Sequence, residues 1–208
     1  MCDILNQILV KVLLFLKSGE AGGVMYDIHC HIIPYVDDGS GSMIDSVEMA
    51  SLAVKSGTKG LIATPHCNIP GVFENYWTKW FENKLQELND ELSRREIEIE
   101  IYPGQEIFSY NDVVAKLQNG DLITLNNSRY VLLEFDFETP ESKAYTATQK
   151  LISCGYVPIV AHSERYGFIY ENPLSILNFK KNGALIQINA HSLNGSLADI
   201  PNKFRNIF

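Results

Sequence analysis

From Met25 onward, short apolar and β-branched runs alternate with longer stretches of helical period. The strand candidates are Tyr26–His29, Gly60–Thr64, Ile97–Tyr102, Tyr130–Phe135, Val157–Ala161 and Ala184–Asn189. Between them the spacing predicts helices near Met43–Ser56, Asn75–Arg95, Tyr110–Asn119, Glu141–Cys154 and Pro173–Asn182. Ser42 with Asp45 resembles a capping box, Gly57 stops that first helix, and Gly155 and Gly183 stand where left-handed C-caps are needed. Strands alternating with helices imply βαβ units, hence a parallel sheet with helices packed outside it. With no linker and no internal repeat, residues 25–208 read as one continuous α/β domain. Residues 1–24 stand before it as an N-terminal extension. Its apolar run Ile8–Leu16 is interrupted by Lys11 and falls far short of the roughly 20 residues needed to cross a bilayer. Asp3 precedes it and a basic n-region is missing, so a short amphipathic helix is expected there rather than a signal peptide.

Composition narrows the function classes. The chain has 208 residues, 46% hydrophobic and 20% charged, as an ordinary globular domain does. Seventeen basic side chains against 25 acidic ones leave a formal charge of −8. The basic residues never cluster beyond the pairs Arg94–Arg95 and Lys180–Lys181, so nucleic acid and anionic membrane surfaces are poor partners. The four cysteines form no C-x-x-C pair and read as reduced thiols in a cytoplasmic protein. Cys30 and Cys67 are expected as small core residues.

The chemistry-bearing residues fall on this map in a regular way. Asp27, His29 and His31 mark the end of the first strand in YDIHCHIIP, and Asp37 and Asp38 follow in VDDG. His66 follows the second strand, Glu106 the third, Glu134 ends the fourth and His162 the fifth. A ligand-type residue therefore recurs once per strand–helix unit, always at the carboxyl end of the strand. In a parallel barrel those ends converge on one rim. Side chains i and i+2 of an extended strand share a face, so His29 and His31 can grip one ion while Cys30 points away. Such a donor set suits zinc, manganese or iron, with room for two or three ions. Plainer readings exist for single residues: Asp37–Asp38–Gly39 as a simple turn, Glu134 as an ion pair with Arg165, His191 as a polar loop residue.

IHCHIIPYVDDGS, LIATPH, PGQE, LLEF and VAHSER together resemble, in order and spacing, the bacterial protein-tyrosine phosphatases of capsular and exopolysaccharide gene clusters, members of the polymerase-and-histidinol-phosphatase (PHP) superfamily. The resemblance runs from about Met25 to Gly195. It implies a distorted (β/α)7 barrel with a centre of two or three divalent ions, usually manganese. It also implies hydrolysis of phosphotyrosine on a cognate bacterial tyrosine kinase, with the membrane involved only through that kinase. Carried across, His29, His31, His66, Glu106, Glu134 and His162 are the implied metal ligands. Asp38 is an implied site residue and Arg165 the implied phosphate-binding arginine.

Two departures stand out. Ser163 replaces the family's usual proline, and the seventh strand with its Ser-Asp-x-His motif has no counterpart after His191. The barrel is therefore expected to lack its last strand, leaving open edges that favour self-association. A histidinol-phosphatase-like enzyme and an inactive protein with a partial metal site stay as alternatives. The expected chemistry is metal-assisted hydrolysis, with Arg165 clamping phosphate oxygens and Asp38 either protonating the leaving phenolate or holding a water. A cysteine phosphatase is not implied, because none of Cys30, Cys67 and Cys154 is followed closely by an arginine.

Overall fold

The structure, a computed structural model, describes residues 25–189 and Ser192. The expected helix at Ile8–Leu16 and His191 lie outside the described residues.

The chain is an α/β fold in which every strand ladder is parallel. Strands β1 (Met25–Cys30), β2 (Thr58–Ala63) and β4 (Glu100–Tyr102) form a sheet in the order β1-β2-β4. Strands β3 (His66–Cys67), β5 (Glu106–Phe108), β6 (Tyr130–Glu134), β7 (Val157–Val160) and β8 (Leu185–Ile186) form a second sheet in the order β3-β5-β6-β7-β8. The two sheets share the same chain runs. β2 passes into β3 across Pro65, and β4 into β5 across Pro103 and Gly104. Proline cannot donate to a ladder, so the pairing is interrupted at these points. It resumes where Glu106 N–H donates to the Pro65 carbonyl at 3.1 Å.

Among the described residues, six α-helices cover the strands: α1 (Met43–Lys55), α2 (Lys79–Arg94), α3 (Val113–Asn119), α4 (Glu141–Ser153), α5 (Gly167–Glu171) and α6 (Ser175–Lys181). Ser42 caps α1 through its hydroxyl, which accepts from Asp45 N–H. Gly155 and Gly183 sit at φ 87° and 97° just past α4 and α6, as the caps require. The short strands β3 and β5 were not among the strand candidates, and two helices also differ from the sequence expectation. Helix α2 starts at Lys79, not Asn75, because the Asn75 amide is engaged on the carbonyls of Val36 and His66 and anchors an extended segment beneath the site. Helix α5 was hidden in the sequence by its five-residue length and by Gly167 at its start.

Strand alternation decides what faces the site. In β6, Val131 and Leu133, with Phe135 just beyond, pack outward with Leu151 of α4 and Phe179 of α6. The alternate residue Leu132 faces inward, where it packs with Ile28 of β1, Ile62 of β2, Ile159 of β7, Ala161 and Leu125. That inner cluster joins residues from both sheets and forms a floor. Glu134 shares the inward face with Leu132, and so stands at the carboxyl end above the floor. A second layer, with Leu61, Ile101, Leu85, Leu88 and Leu92 fully or nearly buried, packs α1 and α2 against the first sheet. No helix among the described residues is long and apolar enough to cross a membrane, and Cys30, Cys67 and Cys154 are free thiols.

Leu132 is wholly buried in the floor. Leu132→Ala is expected to destabilise the protein by about 2–5 kcal/mol, read as a lowered midpoint in denaturant unfolding. A change below about 1 kcal/mol would show that the floor is not packed as described.

Candidate metal centre

The six implied ligands meet at one mouth. His29 is the penultimate residue of β1 and His31 follows the strand, His66 opens β3, Glu106 opens β5, Glu134 closes β6 and His162 follows β7. Glu106, with no solvent exposure, is the hub. Its Oε1 lies 3.1 Å from His29 Nε2 and 2.9 Å from His162 Nε2. Its Oε2 lies 3.2 Å from His31 Nε2 and 3.0 Å from His66 Nδ1. Glu134 closes the ring, 3.2 Å from both His66 Nδ1 and His162 Nε2. Asp38, on the exposed side of the mouth, reaches His66 Nε2 at 3.5 Å.

These donors fit metal ions. Three groups can each converge on one point: His29, His31 and Glu106; His31, Asp38 and His66; His66, Glu106 and Glu134. Shared members His31, His66 and Glu106 make the groups overlap, as a multinuclear centre requires. Two donors each about 2.1 Å from one ion stand about 3.0–3.4 Å apart, which is the spacing seen. Several of these atoms also lack hydrogen bonds of their own: His66 Nδ1, Glu106 Oε2 and Glu134 Oε2 are buried without a hydrogen-bond partner. They are close to one another but do not point proton to lone pair. Buried polar atoms in that condition are costly unless a cation gathers their lone pairs.

The electrostatics agree. Burial works against charge on His31, His66 and His162, but the carboxylates outweigh it. Asp37 and Glu106 raise His31 to about 10, Glu106 and Glu134 raise His66 to about 11, and the same two glutamates raise His162 to about 9. Burial in turn pushes the Glu106 carboxyl up, yet the imidazoles, His29 foremost, hold it well below the ordinary range. A site that draws positive charge this strongly is built to hold cations.

Residues around the cluster complete a cleft of about 280 Å³, lined further by Arg165, Phe137, Cys30 and Asn189. Arg165 is exposed at the mouth and makes no ion pair with any described residue; Glu134 contacts His66 and His162 instead of it. Phe73 stacks on His66 with ring planes 10° apart, and Phe137, 46% exposed, stands edge-on to His162. Of the two cysteines expected in the core, Cys67 is wholly buried, whereas Cys30 is half-buried and lines the cleft, because β1 loses regular register between Asp27 and Cys30.

Asp27 is not one of the converging donors. Its Oδ1 accepts from His29 N–H at 3.0 Å, and burial pushes its carboxyl up to about 7. Asp37 proves to be both turn and site residue: Oδ1 accepts from Gly39 N–H, while Oδ2 lies 2.6 Å from His31 Nδ1 and accepts from His66 N–H at 2.9 Å. It thereby orients His31 from behind, as carboxylates behind metal-binding imidazoles do. Gly39 is required there, since a Cβ would collide with the His31 carbonyl and Cβ. Gln187, 1% exposed beneath His29, gave no sequence signal, because its partners lie far off in the chain.

Comparison with known proteins places this geometry. The family described as "Capsular polysaccharide synthesis, CpsB/CapC" matches residues 25–206. The tyrosine-protein phosphatase YwqE of Bacillus subtilis (strain 168) is 41% identical over 171 residues, covering 82% of this chain and 66% of its own length. The tyrosine-protein phosphatase CpsB of Streptococcus pneumoniae is 32% identical, covering 80% of this chain and 68% of its own length. Among solved structures, one from the work on YwqE of Bacillus subtilis and CpsB of Streptococcus pneumoniae, "unique metal-dependent tyrosine phosphatases", superposes with a TM-score of 0.77 at 40% identity. It covers 82% of this chain and 68% of that one. The chain thus spans about two thirds of the length of these relatives. With the family match running across all of its described residues, the chain belongs to the CpsB/CapC family of capsular polysaccharide synthesis.

Proposed function

We propose that the chain is a metal-dependent protein-tyrosine phosphatase acting on a bacterial tyrosine kinase in capsule or exopolysaccharide synthesis. The observation that carries this reading is the convergence of four imidazoles on the buried Glu106, with Glu134 closing the ring and Arg165 standing without an ion-pair partner at the mouth. The phosphatase names of the relatives support it. In this reading His29, His31, His66, Glu106, Glu134 and His162 hold two or three divalent ions, manganese foremost. The domain begins at residue 25, where the family match also starts. The two sheets form an arc of a (β/α)7 barrel, supported by the inner cluster that joins β1 and β2 to β6 and β7.

When bound, the ions supply Lewis-acid activation of water and offset the phosphate charge. The remaining work belongs to side chains. Arg165 presents a planar fork of donors that matches phosphate oxygens in a way lysine cannot. Asp38, exposed beside His66, is placed to pass a proton to the departing phenolate. Phe137 offers an apolar wall to the aromatic ring of the substrate, while Glu106 and Glu134 keep the imidazoles in register.

Three outcomes test this. Metal ligands must be deprotonated, yet His31, His66 and His162, at about 10, 11 and 9, carry protons at pH 7.5 in metal-free protein. Manganese binding at that pH is therefore expected to release about two to three protons, read by calorimetry in buffers of different ionisation enthalpy. Because these values lie above the unfolded value, their stabilising contribution is complete below about pH 6.5 and is lost as pH rises through 9 to 11. Arg165→Lys should lower kcat/KM on a phosphotyrosine peptide by about 10²-fold with metal stoichiometry intact; an unchanged rate would remove Arg165 from the site. Phe137→Leu should lower kcat/KM on the phosphotyrosine peptide several-fold more than on phosphoserine. An equal loss on both would deny the ring its role in substrate choice.

A further inference from the structure

We infer that Gln187 is a positioning residue for the metal centre, its side-chain oxygen fixing the tautomer of His29 and anchoring the turn that presents His162. The inference rests on the metal-centre reading above and deepens it. Gln187 lies just past β8, only 1% exposed, and both polar atoms of its amide are engaged. The oxygen accepts from the backbone N–H of His162 and lies 3.2 Å from His29 Nδ1; the amide nitrogen donates to Asn189 Oδ1 at 2.8 Å.

A backbone N–H can only donate, so the atom facing His162 must be the amide oxygen. Turning the amide over would set two donors against each other. With the oxygen so placed, the Nδ1 of His29 must carry the proton, and in the neutral ring Nε2 is left with its lone pair. That lone pair lies 3.1 Å from Glu106 Oε1 and 3.2 Å from His31 Nε2. With Nδ1 committed to Gln187, Nε2 is the ring nitrogen that faces the other ligands and the one left to bind a metal ion. Gln187 therefore holds His29 in the form that binds metal.

The second bond serves His162. This residue has φ 28° and ψ 50°, a left-handed conformation that a non-glycine residue holds only when its surroundings enforce it. Its N–H would be buried without a partner but for Gln187. The backbone around Gln187 reinforces the turn: its N–H donates to Val160 O at 2.9 Å, and its carbonyl accepts from Ser163 N–H at 2.9 Å and Ser163 Oγ at 3.1 Å. Beyond it, Asn189 N–H and Ser192 Oγ donate to the buried Glu164. One side chain thus couples β1, the turn after β7 and the segment just past β8 at the point where the ligands meet.

The test compares manganese affinity by calorimetry for the wild type, Gln187→Leu and Gln187→Glu. Leucine removes both acceptor contacts and should weaken binding about 10–100-fold; glutamate keeps the oxygen and should restore most of that loss. Equal affinity in Gln187→Leu and the wild type, or an equal loss in both variants, would overturn the inference. Should Gln187→Leu fail to fold, the ¹⁵N shifts of His29 in metal-free wild-type protein decide it: a proton on Nδ1 is expected, and a ring protonated at Nε2 alone overturns the inference. If the wild type binds no manganese, the metal-centre reading fails instead, and the His29 tautomer still settles the role of Gln187.

Discussion

A carboxylate removed from water among four imidazoles is the interaction on which the rest of this protein depends. Glu106 has no exposure, and each of its oxygens faces two ring nitrogens at 2.9–3.2 Å. Burying such a charge costs several kcal/mol unless opposite charge is brought to it. Protons on His31, His66 and His162 meet that need in the metal-free state, and cations meet it better, because they also gather lone pairs that find no hydrogen bond. The stability of the rim and its chemistry are thus two aspects of one electrostatic requirement.

The fold satisfies that requirement through parallel strand order. Each ligand leaves the carboxyl end of its strand, and the parallel arrangement brings all those ends to the same side. Strand alternation does the sorting. Val131 and Leu133 turn outward to the helices, while Leu132 and Glu134 turn inward, one to the apolar floor and the other to the site above it. The floor matters for function because it keeps water from beneath the glutamates, and a low local dielectric strengthens every charge interaction at the mouth.

Around the ligands lies a layer whose work is orientation. Asp37 holds His31 through its far nitrogen, and Gln187 lies against His29 in the same way from the opposite side. Both settle the direction in which an imidazole presents its free lone pair. Phe73 and Phe137 flank His66 and His162 with aromatic faces and edges, which limits ring rotation and lends the mouth an apolar border. Arg165 and Asp38, both exposed, occupy the outer rim of the cleft.

Much of this was legible in the linear chain, for local reasons. Hydrophobic period marked most strands and most helices, Ser42 and Gly155 marked their ends, and the recurrence of one ligand type per strand–helix unit pointed to a common rim. What depends on short-range chemistry and fixed periodicity can be read from neighbours in sequence. Other features could not be read that way. The start of α2 at Lys79 reflects the distant carbonyls on which Asn75 spends its amide, and the exposure of Cys30 to the cleft reflects an irregular register with β2. The roles of Asp37 and Gln187 depend on which atoms tertiary packing sets beside them: a turn aspartate and a strand-end glutamine are common, and only the juxtaposition with His31 and His29 makes them part of the site. The amino-acid sequence by itself determined which residues could bind metal and that their strand ends face one way. Tertiary structure alone decided which oxygen meets which nitrogen, because hydrogen-bond direction and the sharing of Glu106 among four imidazoles exist only once remote strands are side by side.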